Sequence, residues 1–165
     1  MKHTTIWKRL MLLLLAMTLC CACFACSKGD DQPKKDVKPL TDVYADIQSA
    51  VTLPDLLELD GNDLYTYVGI PAEAYTEAVA LIPTEAILGD MLFLFHAADS
   101  DSIKMIESKL NDFRKQKLNE MDNYLPDEYD KIKASSVTNF GDYVWLVVSS
   151  DSAKIQKIIN DAIVQ

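Results

Sequence analysis

Met91-Leu92-Phe93-Leu94-Phe95, inside an apolar run over residues 86–96, sets five large apolar side chains in succession. A strand points alternate side chains to opposite faces, so this run reads as a central strand that is apolar on both. Pro83-Thr84-Glu85 separates it from a second apolar run, 75–82, and the two read as strands joined by a tight connection. Downstream, Asp99-Ser100-Asp101-Ser102 offers cap oxygens and negative charge to a helix start. Ile103, Ile106, Leu110, Phe113 and Met121 then recur at helical spacing, predicting the longest helix to about Asn123, where Tyr124-Leu125-Pro126 breaks it. One or two turns follow over 127–134. Two β-rich runs, 137–140 and 143–149, flank Gly141-Asp142, a two-residue hairpin signal. Ser150-Asp151 caps a last helix with Ile155, Ile158, Ile159 and Ala162 in one stripe.

Upstream, Val43, Ile47 and Ala50 predict a helix over 41–51, ended by Pro54. Asp60-Gly61-Asn62-Asp63 starts a short helix through Leu64 and Val68, with Gly69 and Pro71 as its stop. Hairpin, helix, hairpin, helix is the order expected of an α+β two-layer sandwich: a mostly antiparallel four-stranded sheet with helices on one side.

Before this domain, Lys2, Lys8 and Arg9 precede a charge-free run over 10–25. Basic start, apolar middle and small residues before a cleavage point make an export signal. Its exit, Cys23-Phe24-Ala25-Cys26-Ser27, resembles a bacterial lipobox, in which a small residue precedes the cysteine that receives diacylglycerol. Ala25 supplies the small residue and the sequence turns polar after Cys26. Cys23, preceded by Ala22, is the alternative lipidation site, and an uncleaved anchor is a third reading. The expected organisation is a lipoprotein signal peptide over 1–25, a lipidated Cys and flexible tether over 26–39, and a single α+β domain over 40–165. Residues 27–39 carry seven charges, two Pro and one Gly without periodicity, a composition that stays extended and solvated. Two acyl chains anchor stably where one does not, so the expected location is the extracytoplasmic face of the cell membrane, held by lipid.

Residues 82–150 resemble the short bacterial lipoproteins grouped as domain-of-unknown-function family 4358. The resemblance is carried by Glu85, Arg114 and Gln116, Tyr124-Leu125-Pro126 with Glu128, and Gly141-Asp142-Tyr143-Val144 leading into Val147-Val148-Ser149-Ser150-Asp151. It implies location and fold, and brings no activity.

The residues also limit the chemistry. After Cys26 the chain has one histidine, His96, and no cysteine, which excludes multi-His or multi-Cys metal sites and a cysteine nucleophile. The glycines are isolated, so no phosphate-cradling loop exists. No cofactor, metal or catalytic residue is expected, and a hydrolase built on two carboxylates is the one enzymatic class the composition leaves. His96 reads as a strand-end histidine packing against the long helix, and Trp145 as packing rather than a sugar platform. Arg114, Tyr124 and Glu128 form a candidate cluster, either a ligand cleft or an anchor for the helix-to-strand connection.

Charge order is the most informative feature. Between Lys38 and Lys104 there is no Lys or Arg, while twelve acids occur from Asp42 to Asp101; from Lys104 onward nine bases meet ten acids. A chain this acidic is not expected to bind nucleic acid. The acidic half, with Asp55, Glu58, Asp60 and Asp63 as its candidate interaction surface, either keeps the domain soluble and repelled from an anionic envelope, or recruits a basic protein partner or envelope cations. The expected function is a membrane-anchored binding module. The alternative is an accessory or ligand-capturing subunit of an envelope transport system, and oligomeric state is not legible.

Overall fold

A computed structural model describes residues 37–164. The export signal, Cys23, Cys26 and most of the tether lie outside the described residues. Among these, no helix is long and apolar enough to cross a membrane.

Helix α1 (Leu40–Ala50) buries Leu40, Val43 and Ile47, one stripe at helical spacing. Pro39 has no capping side chain, and the carboxylate of Glu77 accepts the Leu40 N–H instead. Strand β1 (Leu56–Glu58) follows. Asp60 then caps the short helix α2 (Gly61–Asp63), accepting from the N–H groups of Asn62 at 2.8 Å and Asp63 at 3.0 Å. The chain widens into a π-helical turn, Leu64–Val68, and leaves it through Gly69 at φ 77°, a left-handed conformation that glycine adopts without a steric penalty. A 3₁₀ turn, Ala72–Ala74, leads to β2 (Tyr75–Pro83), followed by β3 (Met91–Ala97).

Helix α3 (Ser100–Met121) starts at Asp99, whose carboxylate accepts from Ser102 N at 2.7 Å and Asp101 N at 3.1 Å. It buries Ile106, Leu110, Phe113 and Met121, and Asn123 turns the chain at φ 62°. Helix α4 (Pro126–Ala134) begins with proline, where a missing N–H costs nothing. Asp127 and Glu128 in its first turn and Lys131 and Lys133 in its last complement the helix dipole. Strands β4 (Val137–Phe140) and β5 (Tyr143–Val148) form the hairpin around Gly141, at φ 56°. Helix α5 (Ser152–Ile163) closes the fold.

The strands make one open antiparallel sheet in the order β1-β2-β3-β5-β4, with β3 at its centre. The sheet thus has five strands, not the expected four. The added β1 is three residues between Pro54 and Asp60, too short to show an alternation. The connection between β2 and β3 is also longer than expected, because residues 84–90 form a loop and only Met91–Ala97 are strand.

The two-layer expectation, with helices on one side, is corrected as well. Phe93, Phe95, Val144 and Leu146 pack against Leu64, Val68, Ile106, Leu110, Phe113 and Ile132, the face covered by the π-helical turn, α3 and α4. Leu92, Leu94, Trp145 and Val147 pack against Leu40, Val43, Ile47, Ile155, Ile159 and Ile163, the face covered by α1 and α5. The domain is a three-layer α/β/α sandwich of α+β type. A central strand that is apolar on both faces requires this: each buried Leu or Phe contributes roughly 1.5–3 kcal/mol, which a bare face would forfeit.

Candidate functional site

Three groups of polar side chains stand out. The first is at the seam between α4 and the start of β3. Asp90, only 5% exposed, accepts from Lys131 Nζ at 2.7 Å. Lys131 also donates to Glu128 Oε2 at 2.9 Å and Oε1 at 3.1 Å, and Glu128 Oε2 accepts the Gly89 N–H at 2.6 Å. Burial works against the Lys131 charge, but the hydrogen bonds and negative charges of Asp90 and Glu128 outweigh it and raise its pKa above the usual lysine value. Both carboxylates are therefore committed to one ammonium and one backbone N–H. This arrangement pins the 84–90 loop to α4.

Arg114 does not join this cluster. Its Nε donates to Ile132 O at 3.2 Å and Ser135 Oγ at 3.0 Å, and its Nη2 to Lys133 O at 2.9 Å. It thus ties the end of α4 to α3, the anchoring role that the spacing of the helices allows. Glu128 sits on the first turn of the same helix, and Tyr124 is 87% exposed. No hydrogen bond or ion pair joins any two of Arg114, Tyr124 and Glu128.

The second group is a rung across the sheet: Glu77 pairs with His96, His96 with Tyr143 and Tyr143 with Phe140. His96 stacks on Tyr143 with ring centroids 4.5 Å apart. Side-chain alternation puts His96 on the same face as Leu92 and Leu94, so it lies on the side of α1 and α5, not against the long helix α3 as expected. Burial, then the nearby charges of Glu77 and Asp142, push the Tyr143 hydroxyl upward. Trp145 is in the core, 1% exposed, with an unpartnered Nε1.

The third group is the acidic strip. Asp55, Glu58 and Asp60 are exposed and Asp63 is half-buried. Asp55 precedes the edge strand β1 and Glu58 is its last residue; Asp60 caps α2 and Asp63 ends it. Two open concavities adjoin them. One, about 420 Å³, is lined by Tyr44, Gln48, Val51, Thr52, Leu53, Pro54, Asp55 and Leu56. The other, about 590 Å³, is lined by Asp60, Gly61, Asn62, Tyr65, Pro71, Ala72 and Glu73. Burial, then the charge of Glu58, raises the Tyr44 pKa, which places Glu58 electrostatically beside the first concavity. Tyr65 and Tyr67 are 64% and 56% exposed. Among the described residues, no group of three or more His, Cys, Asp or Glu is arranged to hold a metal ion.

A family model described as domain of unknown function DUF4358 matches residues 49–149. The chain belongs to this family. The DUF4358 match spans all five strands, α2, α3 and α4, and so includes the Asp90–Lys131–Glu128 seam, Arg114 and the acidic strip; it omits α5 and almost all of α1. No match was found among curated proteins or among solved structures. The DUF4358 description carries no activity to transfer, so function has to be argued from this chain's own surface.

The seam is what sequence reasoning missed. Asp90 and Lys131 are 41 positions apart and belong to no local motif. A signal was present in Gly89-Asp90 interrupting an apolar run, since a charge beside a buried strand needs a partner.

Proposed function

We propose that this chain is a membrane-anchored extracytoplasmic lipoprotein whose domain is a binding module that recruits a basic protein partner through its acidic half. The observation that carries the reading is charge segregation. Of the twelve acids between Asp42 and Asp101, all but Asp63, Glu77 and Asp90 are exposed, and no Lys or Arg lies between Lys38 and Lys104. A surface of one sign attracts the opposite sign over about 8–10 Å at ordinary ionic strength and is repelled by anionic lipid. Membrane attachment is supported by the basic, apolar and small-residue order ending at Cys26, with Cys23 as the alternative acceptor. An enzymatic reading has no comparable support: Asp90 and Glu128, the two carboxylates that meet at the seam, are both bound to Lys131.

Two experiments test this. Metabolic palmitate labelling should disappear in Cys26→Ala and persist in Cys23→Ala; unchanged labelling and processing in Cys26→Ala would refute the assignment. Crosslinking in intact cells, followed by salt-graded elution, should capture a basic protein. Its yield should fall at high salt and when Asp55, Glu58, Asp60 and Asp63 are changed together to Asn or Gln. A yield indifferent to both would remove the acidic surface from the function.

A further inference from the structure

We propose that the partner is engaged as an added β-strand: an extended segment bearing Lys or Arg at alternate positions pairs with the outer edge of β1. The inference rests on the binding-module reading and specifies where and in what conformation the partner docks.

Pairing on the inner side of β1 is complete. Thr84 N donates to Asp55 O at 3.1 Å and Leu59 N to Ala80 O at 2.9 Å, and Leu57 stands opposite Ile82 between them. Alternation in an antiparallel ladder therefore turns the main-chain groups of Leu56 and Glu58 away from β2. Among the described residues no strand pairs that side. An open edge of this kind is a template for an incoming extended chain, which gains main-chain hydrogen bonds and reads side chains through neighbouring pockets.

The surroundings select the occupant. Leu56 and Glu58 pair with Pro83 and Leu81, so their side chains lie on the α1 face, beside the 420 Å³ concavity whose walls include Tyr44, Gln48, Leu53 and Leu56. A docked strand would set one side chain over this partly apolar floor and carry a neighbour on that face toward the carboxylate of Glu58. A cation there meets an exposed acid and the ring of Tyr44, a favourable combination for Lys or Arg. A second copy of the chain is disfavoured, because edge-to-edge pairing of β1 with itself brings two like-charged acidic edges together. Pro54 on one side and the α2 cap at Asp60 on the other confine the edge to a few residues, which suits one short segment and blocks indefinite sheet growth.

The test uses the full-length chain in neutral detergent and a capped peptide of alternating Lys and Val. The expected result is slowed hydrogen exchange of the Leu56 and Glu58 amides on peptide addition, with affinity reduced about tenfold or more by Glu58→Lys. Asp127→Lys, an equal charge change on α4, should leave affinity unchanged. A peptide of alternating Glu and Val should not bind. The proposal is overturned by binding without protection at 55–59, by no binding at all, by equal binding of the Glu peptide, or by equal losses in both variants. Protection that rises with protein concentration alone would replace the partner strand with a second copy. If cell crosslinking captures a basic partner at another surface, the binding-module reading stands and the strand-addition inference falls.

Discussion

Lys131 and Asp90 meet at 2.7 Å across the seam between α4 and the start of β3, with the Asp90 side chain 8% exposed and that of Lys131 19%. Taking two charges this far from water costs several kcal/mol, and their attraction plus the added bonds of Glu128 must offset it. Removing one partner strands the other. Lys131→Met is expected to destabilise the domain by about 3 kcal/mol, more than Asp90→Asn, because it leaves two facing carboxylates. Urea unfolding of both variants and of the double variant measures the coupling; additive effects would show that the pair is not a unit.

The same lysine gives an alkaline signature. Its folded pKa is raised, so its contribution is complete below the unfolded value, about 10.4, and is lost as pH rises through the folded value. Tyr44, Tyr75 and Tyr143, also raised, act in the same direction. Urea midpoints should fall on alkalinisation, and Lys131→Met should flatten part of that slope and leave the tyrosine part.

Asp99 supplies the acid-side counterpart. Backbone N–H donation from Ser102, its side-chain hydrogen bond and the N–H of Asp101 hold the Asp99 carboxyl below its ordinary value. A depressed folded pKa means stability that is present above the unfolded value, about 3.9, and lost as pH falls through the folded one. Asp99→Asn keeps an acceptor and removes the charge. It should lower the midpoint at neutral pH and show a shallower decline in acid than the parent.

Gly89 is held by space. A Cβ there would lie 3.0 Å from Ile132 Cδ1 and Cγ1 and 3.1 Å from Glu128 Oε2. Gly89→Ala should cost about 1–3 kcal/mol by overpacking, and Ile132→Val in the same chain should recover part of it. A double-mutant cycle in urea reads this coupling; a cost unchanged by Ile132→Val would assign the effect to the backbone instead.

Arg114 separates an anchor from a ligand residue. Its planar fork spans Ile132 O, Ser135 Oγ and Lys133 O, a geometry a point-charge ammonium cannot reproduce. Arg114→Lys and Arg114→Ala are both expected to lose about 1–2 kcal/mol, without changing peptide affinity in the strand-addition assay.

Local features were legible wherever the signal is local. The Ile106, Leu110 and Phe113 stripe of α3, the Asp60 and Asp99 caps and the left-handed Gly69 exit all follow from spacing within a few residues. What failed involved pairing over distance. Leu92 and Leu94 declare a second apolar face, yet nothing near them says that α1 and α5 cover it. Ser150-Asp151 looks like a cap, but no side chain caps α5; Ser149 Oγ accepts the Asp151 N–H instead. The acidic strip was visible as composition, whereas its position on a sheet edge depended on β1, three residues with no pattern of their own.

Helices α1 and α5 lie on one face of the sheet, and Lys154 Nζ donates to Ala50 O although 104 positions separate them. That contact makes completion of the domain a late event in synthesis. A nascent chain that has not yet released Ser152–Ile163 leaves Leu94, Trp145 and Val147 without their α5 cover, however well α3 and α4 have already docked on the opposite side. Long-range closure of this kind slows folding. The interval before α5 arrives is when the chain most resembles a chaperone client, and shortening the chain before Ser152 should prolong that interval indefinitely.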